Sequence, residues 1–381
     1  MSGEIIPGEW LVTLKPYANE SIDSEHASLL STRTADPDTH FNCDVQCHFA
    51  LPELRGYSAK FDDATRAEVE ALPEVQAVEP LQVYRHCAAA GATAVQSNAP
   101  WGLARISQRG RVAPAGPWEY KYDANAGAGT VAYILDTGIR DTHEEFEGRA
   151  SKGPTFSQGR PASDEDRDGH GTHVAGTIGG KTYGVAKKAE LVGVKVFNDD
   201  PQPGATNADI IRALEWVVDQ VKSHGKPSVV NMSLGGGASA ALDAAVASTV
   251  RVGIVVVVAA GNDGRLADRG SPAREPLAIT VGASDVKDAG AIFTSSGKVV
   301  DIFAPGVDIK SSWNTGDDAV ESLDGTSMAS PHVAGAVCYL LSQKRVEPLL
   351  VMPQLLGWAD KNKLTGLKDR TIDALLVVSD N

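Results

Sequence analysis

Three short stretches of the sequence hold residues that could share one piece of chemistry. VAYILDTGI (131–139) ends an apolar run in Asp136, just ahead of a Thr-Gly turn. DGHGTHVAG (168–176) sets His170 between glycines at the start of an apolar segment, and GTSMASPHVAG (325–335) sets Ser327 ahead of an alanine-rich run that also holds Pro331 and His332. Taken singly, Asp136 reads as a turn cap, His170 as a structural histidine and Ser327 as a helix N-cap. Together they supply an orienting acid, a base and a nucleophile. A serine hydroxyl attacks poorly unless an imidazole takes its proton, and that imidazole needs a carboxylate to hold its tautomer and stabilise the cation formed. His170 and His173 are also spaced as a zinc pair would be, but no third ligand motif accompanies them.

Residues so far apart along the chain need a rigid scaffold to meet. Residues 131–135, 191–197, 229–234 and 254–259 are near-continuous apolar runs, as expected for strands covered on both faces. Between them, 208–223 is amphipathic and helical, and 240–251 is Ala-rich and helical. This alternation predicts an α/β domain with a largely parallel central sheet and helices on both faces. Ligands in such a domain bind beyond the carboxyl ends of the strands, which is where Asp136 falls.

Composition sets the outer bounds. At 381 residues the chain can hold one large domain and a small one. A net charge of -14 without a basic stripe argues against a nucleic-acid partner. No apolar run reaches the ~18–20 residues of a membrane span; the longest, 254–260, is strand-sized. Residues 1–93 carry 6 basic and 15 acidic residues (net -9) against 29 and 34 (net -5) in the remainder, which favours a boundary near residue 90. Three of the four cysteines, Cys43, Cys47 and Cys87, lie before that boundary, so Cys338 has no partner for a disulfide within the larger part. MSGEIIPGEW lacks the charged and apolar regions of an export signal.

Ahead of the boundary, residues 9–84 read as a compact α+β unit. EWLVTLK (9–15) alternates like a half-buried strand, 62–72 is helical and stops at Pro73, and 75–83 is again strand-like. Residues 85–93 are small and featureless and read as a linker.

The order Asp136, His170, Ser327 is that of subtilisin, and Ala329 breaks the G-x-S-x-G elbow of lipase-type hydrolases. From about residue 94 onward the chain resembles the subtilase family in its proteinase K branch. NAPWGLARIS, YILDTGI, HGTHVAGTIGG, VNMSLGG, AAGN and GTSMASPHVAG follow one another in family order. RGYSAKF and PEVQAVEP, within 9–84, are similar to the inhibitor-type propeptide of the same enzymes. The resemblance implies a zymogen, with a small α+β propeptide domain (1–93) that assists folding and inhibits, followed by a subtilisin-like catalytic domain (94–381) starting near Ala94.

It further implies Ser327 as nucleophile, His170 as general base, Asp136 as orienting carboxylate and Asn262 as side-chain donor to the oxyanion, beside the N–H of Ser327. His173 and His332 are expected to pack inside. Ser233, Leu234 and Gly235 would form one substrate edge and Ala259, Ala260 and Gly261 the facing pocket wall, a slot suited to apolar or aromatic side chains. A third edge near 198–205 departs from the branch's pattern, because Pro203 has no N–H to donate. No catalytic cofactor is implied, but a structural Ca2+ is, held by Asp301 and the carbonyls of Pro276 and Ala278. The branch's cysteines are replaced at Val174 and Ile279. The implied protein is an extracellular, monomeric serine endopeptidase acting on proteins and peptides.

Overall fold

The apolar runs of the second region become neighbours in one sheet of the computed structural model, which describes residues 4–16, 18, 21–34, 43–52, 54–83, 93–157, 162–199, 204–368 and 370–378. Contacts divide the chain into two units, Met1–Ala89 and Ala90–Asn381. The linker read at 85–93 falls, but for Thr93, outside the described residues.

In the first unit the elements run β1 (Glu4–Leu14), α1 (Ser21–Thr34), β2 (Asp44–Leu51), β3 (Leu54–Lys60), α2 (Asp63–Glu70) and β4 (Val75–Val83). The strands form an antiparallel sheet in the order β2-β3-β1-β4. Its core gathers Val12, Leu14, Leu30, Tyr57, Phe61, Val69 and Val78. α2 starts where the Asp62 carboxylate accepts the N–H of Thr65 (2.8 Å) and ends before Pro73.

The second unit opens with an antiparallel pair, β5 (Thr93–Ser97) and β6 (Glu119–Asp123), joined through α3 (Trp101–Ile106). Then follow β7 (Val131–Asp136), β8 (Ala150–Thr155), α4 (His170–Gly179), β9 (Glu190–Lys195), α5 (Asn207–His224) and β10 (Ser228–Met232). After β11 (Gly236–Gly237) come α6 (Ala240–Arg251), β12 (Val255–Ala259), β13 (Gly270–Ser271), β14 (Ile279–Ser284) and β15 (Ile302–Pro305). The unit ends in β16 (Ile309–Ser312), β17 (Val320–Leu323), α7 (Thr326–Gln343), α8 (Pro348–Trp358), β18 (Asp360–Lys361) and β19 (Ala374–Leu375). The central sheet orders its strands β18-β19-β15-β14-β12-β10-β7-β9-β8, and its pairs are parallel apart from the short antiparallel β18–β19.

Side-chain alternation explains why these strands read as unbroken apolar runs. Val131, Tyr133 and Leu135 of β7 face one cluster, while Ala132 and Ile134 face the other; β12 divides the same way, with Val256 and Val258 against Val255 and Val257. The first cluster is closed by Ile210 and Leu214 of α5 and by Leu242 and Val246 of α6. The second is closed by Val174 and Ile178 of α4 and by Val333 and Val337 of α7. The fold is therefore α/β with helices on both faces, and α7, buried on nearly every side, is apolar all round.

Candidate active site

Every side chain singled out for the site sits at the carboxyl edge of the parallel sheet or at a helix start facing it. Asp136 is the last residue of β7 and fully buried. Its Oδ1 accepts the N–H of Thr137 (2.8 Å) and lies 2.7 Å from His170 Nδ1. His170 is the first residue of α4, with its side chain a quarter exposed. Gly169 before it holds φ 105, and a Cβ there would sit 2.7 Å from the Trp313 ring, so only glycine admits this entry to the helix. Burial pulls the His170 pKa down, but the charges of Asp136, Asp168 and Asp166 and the Asp136 hydrogen bond push harder, leaving it above the ordinary imidazole value.

Ser327 is the second residue of α7, and its position follows from the proline in the same helix. Pro331 has no N–H to give the carbonyl four residues back, and that carbonyl belongs to Ser327. The Ser233 hydroxyl supplies the missing donor (2.8 Å), while the Ser327 hydroxyl donates to the Ser233 carbonyl (3.2 Å). Behind them Asn231 bonds both Ser233 Oγ (3.0 Å) and Ser330 Oγ (2.6 Å), fastening the start of α7 to the end of β10. α4 packs along α7: a Cβ on Gly335 would meet the Ile178 carbonyl at 3.0 Å.

Asn262 follows β12, exposed, with its amide turned one way. Its Oδ1 accepts both the N–H (2.9 Å) and the hydroxyl (2.8 Å) of Thr326, which leaves the NH2 as a free-standing donor. Thr326 Oγ1 is itself anchored by the N–H of Gly261 (3.1 Å). A Cβ on Gly325 would lie 3.4 Å from Asn262 Nδ2 and 3.6 Å from Ser327 N, so both nitrogens border the gap that its missing side chain leaves.

Beside this gap opens a cavity of about 580 Å³ whose lining includes Ser233-Leu234-Gly235, Ala259-Ala260-Gly261, Asn262 and Ser327. β11 and β13 pair across its end. Asp263, Arg265 and Arg269 also line it, a charged contribution that the small-residue motifs did not announce. The third edge, near 198–205, includes residues 200–203, outside the described residues.

His173 and His332 are elsewhere engaged. His173 Nε2 meets the carbonyls of Ile309 (2.9 Å) and Glu321 (3.2 Å), and His332 Nδ1 meets that of Met328 (2.8 Å). Burial pushes each down to about 4, so both are neutral core histidines at neutral pH. Among the described residues no cluster of three or more His, Cys, Asp or Glu is arranged to hold a metal.

Pro276, Ala278 and Asp301 lie just ahead of β14 and β15, at the amino edge of the sheet, away from the residues above. Asp301 stands just before β15 and Ala278 just before the neighbouring β14. Asp301 Oδ2 accepts the Thr280 N–H (2.8 Å), and burial pushes its carboxyl up to about 6. Burial and the Thr280 N–H are all that act on this carboxyl, and a part-buried carboxylate with no cationic neighbour among the described residues suits a hard cation with oxygen ligands.

Sequence reasoning missed Asp166, which stands in the acidic run DEDRD yet is buried beneath His170. The signal was available in Thr137 and Thr172, two hydroxyls beside the chemistry on tight backbone, each needing an acceptor.

A parallel sheet whose carboxyl edge gathers an aspartate-bonded imidazole, a serine at a helix N-terminus and a gap lined by amide donors defines a serine-type hydrolase on an α/β scaffold. The chain belongs to the subtilase family, which it matches over residues 127–360. It is 40% identical over 377 residues to alkaline protease 1 of Aspergillus clavatus, covering 96% of this chain and 90% of that protein. It is 45% identical over 314 residues to the cuticle-degrading protease of Metarhizium anisopliae, covering 82% and 78%. The crystal structure of a cold adapted subtilisin-like serine proteinase matches with a TM-score of 0.67 and 42% identity, over 75% of this chain and 100% of that one. The protein is thus a subtilisin-like serine endopeptidase of the proteinase K branch.

Proposed function

We propose that Ser327 attacks the scissile carbonyl, with His170 as base and Asp136 holding the imidazole, and that the chain cuts proteins after medium to large apolar or aromatic residues. The observation that carries this reading is the 2.7 Å contact between Asp136 Oδ1 and His170 Nδ1. That contact commits Nδ1 to the acid and turns Nε2 toward the open side, where it can take a proton. In acylation the Ser327 hydroxyl exchanges its long bond to the Ser233 carbonyl for the imidazole, a tightening expected once substrate is in place. Negative charge then develops on the carbonyl oxygen in the gap beside Gly325, where Asn262 Nδ2 and Ser327 N donate to it. His170 passes its proton to the leaving amine, and water releases the acyl group by the same steps in reverse.

Substrate backbone adds as a strand along Ser233–Gly235 and Ala259–Gly261. Small residues in the two edges leave the cavity broad, with Leu234 as an apolar lining residue beside Arg265 and Arg269. Residues 1–93 act as folding aid and inhibitor and are removed by the enzyme itself near Ala94. That cut requires Thr93 and Ala94 to leave their pairing with Asp123 and Tyr122. Asp301, with the carbonyls of Pro276 and Ala278, would hold a calcium ion, whose charge would offset the buried carboxylate and join two strand starts.

A peptide library incubated with the purified protein and read by mass spectrometry tests the reading. Cuts following Phe, Tyr, Leu or Met support it, and no cutting, or cutting that persists in Ser327→Ala, overturns it. The Ser327→Ala chain should also stay at full length; two fragments from the pure variant would refute self-processing.

A further inference from the structure

The turn ahead of α4 buries a carboxylate that the reaction itself does not require. Asp166 is only 7% exposed, and its two oxygens accept five hydrogen bonds from three segments. Oδ1 accepts from Thr137 Oγ1 (2.8 Å), Gly169 N (2.9 Å) and Asp168 N (3.2 Å). Oδ2 accepts from Thr172 N (2.9 Å) and Thr172 Oγ1 (2.6 Å). A carboxylate has about four lone-pair sites, so this one is saturated.

The donors are the neighbours of the two residues whose spacing matters most. Thr137 follows Asp136, and its hydroxyl, while donating to Asp166, accepts the N–H of Gly171, which follows His170 (2.9 Å). Thr172 stands one further along α4, and its hydroxyl accepts the N–H of Arg140 (2.9 Å) from the loop after β7. The end of β7 and the start of α4 are therefore joined through two hydroxyls to one carboxylate. Lys195 Nζ, on β9, secures the same loop through the Thr137 carbonyl (2.5 Å). Asn314 Nδ2 secures the turn through the Asp166 carbonyl (2.9 Å).

We propose that Asp166 is a positioning residue: by clamping Thr137 and Thr172 to one point it sets the separation and angle of Asp136 and His170. The proposal rests on the reading of those two residues as acid and base given above. Asp166 does not touch the reacting atoms. It also adds a negative charge beneath the imidazole, among charges that come from every side. Its own turn contributes Arg167 and Asp168, β7 and its loop contribute Asp136 and Arg140, and β9 with its continuation contributes Lys195 paired to Asp199 (2.8 Å). His173, next after Thr172 on α4, is neutral and turned to the Ile309 and Glu321 carbonyls, and the 313–317 segment brings Asp317, bonded to Arg140 (2.7 Å). With positive and negative groups so mixed, replacing Asp166 by its amide removes one of the charges that raise His170 while keeping the side chain's size.

The test compares proteins expressed as the full chain and assayed after processing, with the state of residues 1–93 checked by mass spectrometry, carrying Asp166→Asn, Thr137→Val, both, or His170→Ala. Active sites are counted with a fluorophosphonate, folding is checked by thermal melting, and a chromogenic peptide is followed from about pH 5 to pH 10. Asp166→Asn should lower kcat roughly 10- to 100-fold with KM within about twofold, as misplacement of a catalytic group does. Its acid limb should move to lower pH. Thr137→Val should lower kcat in the same range without moving the limb, and the double variant should lose less than the product of the two. A folded Asp166→Asn with wild-type kcat and wild-type limb overturns the proposal. Should Asp166→Asn fail to fold, a folded Thr137→Val with unchanged kcat overturns it instead. His170→Ala that still turns over would sink the acid–base reading itself, a result separable from either of those.

Discussion

The starts of α4 and α7 stand at the same sheet edge and are built on opposite electrostatic plans. Around His170 at the start of α4 lie three carboxylates, Asp136, Asp166 and Asp168. Around Ser327 at the start of α7 the anchors are neutral: the Asn262 amide, the Thr326 and Ser233 hydroxyls and bare backbone N–H groups. One side is prepared to receive a proton, the other to receive negative charge. The proposed reaction creates that pair of charges, an imidazolium and an oxyanion. A carboxylate misplaced among the donors, or a donor lost from among the carboxylates, would oppose the chemistry directly.

Removing the proposed base or the proposed nucleophile should have the largest effect. His170→Ala and Ser327→Ala should each cost about 10^6-fold in kcat, and Asp136→Asn about 10^4-fold, magnitudes borrowed from other serine proteases and checked by steady-state kinetics on titrated enzyme. On the neutral side, Asn262→Ala should cost roughly 100- to 1,000-fold in kcat with KM little changed. Asn262→Asp sharpens the contrast. It places a carboxylate where the oxyanion forms and should lose more than the alanine variant, whereas a merely steric role would have the aspartate lose less. Thr326→Val, which removes one of the two donors that hold the Asn262 amide and leaves the Thr326 N–H, should cost roughly 3- to 10-fold, the worth of one net hydrogen bond.

The two sides also differ in pH response. As the proposed base, His170 would work only when neutral, and its pKa is held above the ordinary imidazole value of about 6.5. Turnover should therefore be present above that raised pKa and be lost as pH falls through it, on an acid limb that moves down in Asp136→Asn. His173 and His332, held near 4, stay neutral across this range and cannot supply the limb. Smallest for activity is the proposed calcium site around Asp301, at the opposite sheet edge. Calcium at 100 times its dissociation constant should add about 2.7 kcal/mol to stability, read as a raised Tm that a chelator reverses and Asp301→Asn abolishes.

Much of the scaffold was legible because its central strands are buried on both faces, so 131–135 and 254–259 announce themselves by apolarity alone. The outer strands were not. ASKGPT of β8 and the short β18 and β19 carry no pattern, since their pairing is decided by neighbours distant in sequence. α1, SIDSEHASLLSTRT, escaped for a related reason: Ser and Thr punctuate it, and only a few positions such as His26 and Leu30 are buried. At the site, Asp136, His170, Asn262 and Ser327 stood out by motif. The devices that hold them did not. The Ser233 hydroxyl that replaces the N–H missing at Pro331 becomes visible only when β10 meets α7, and Asp166 looks like part of a solvated acidic run until burial singles it out.

The most direct test is fluorophosphonate labelling of the processed protein, with the adduct located by peptide mass spectrometry. The expected result is a single adduct on Ser327 that forms rapidly in the wild type and at a small fraction of that rate in His170→Ala. An adduct on a different residue, or labelling of Ser327 that proceeds as fast without the imidazole, would contradict the division of labour between the two helix starts.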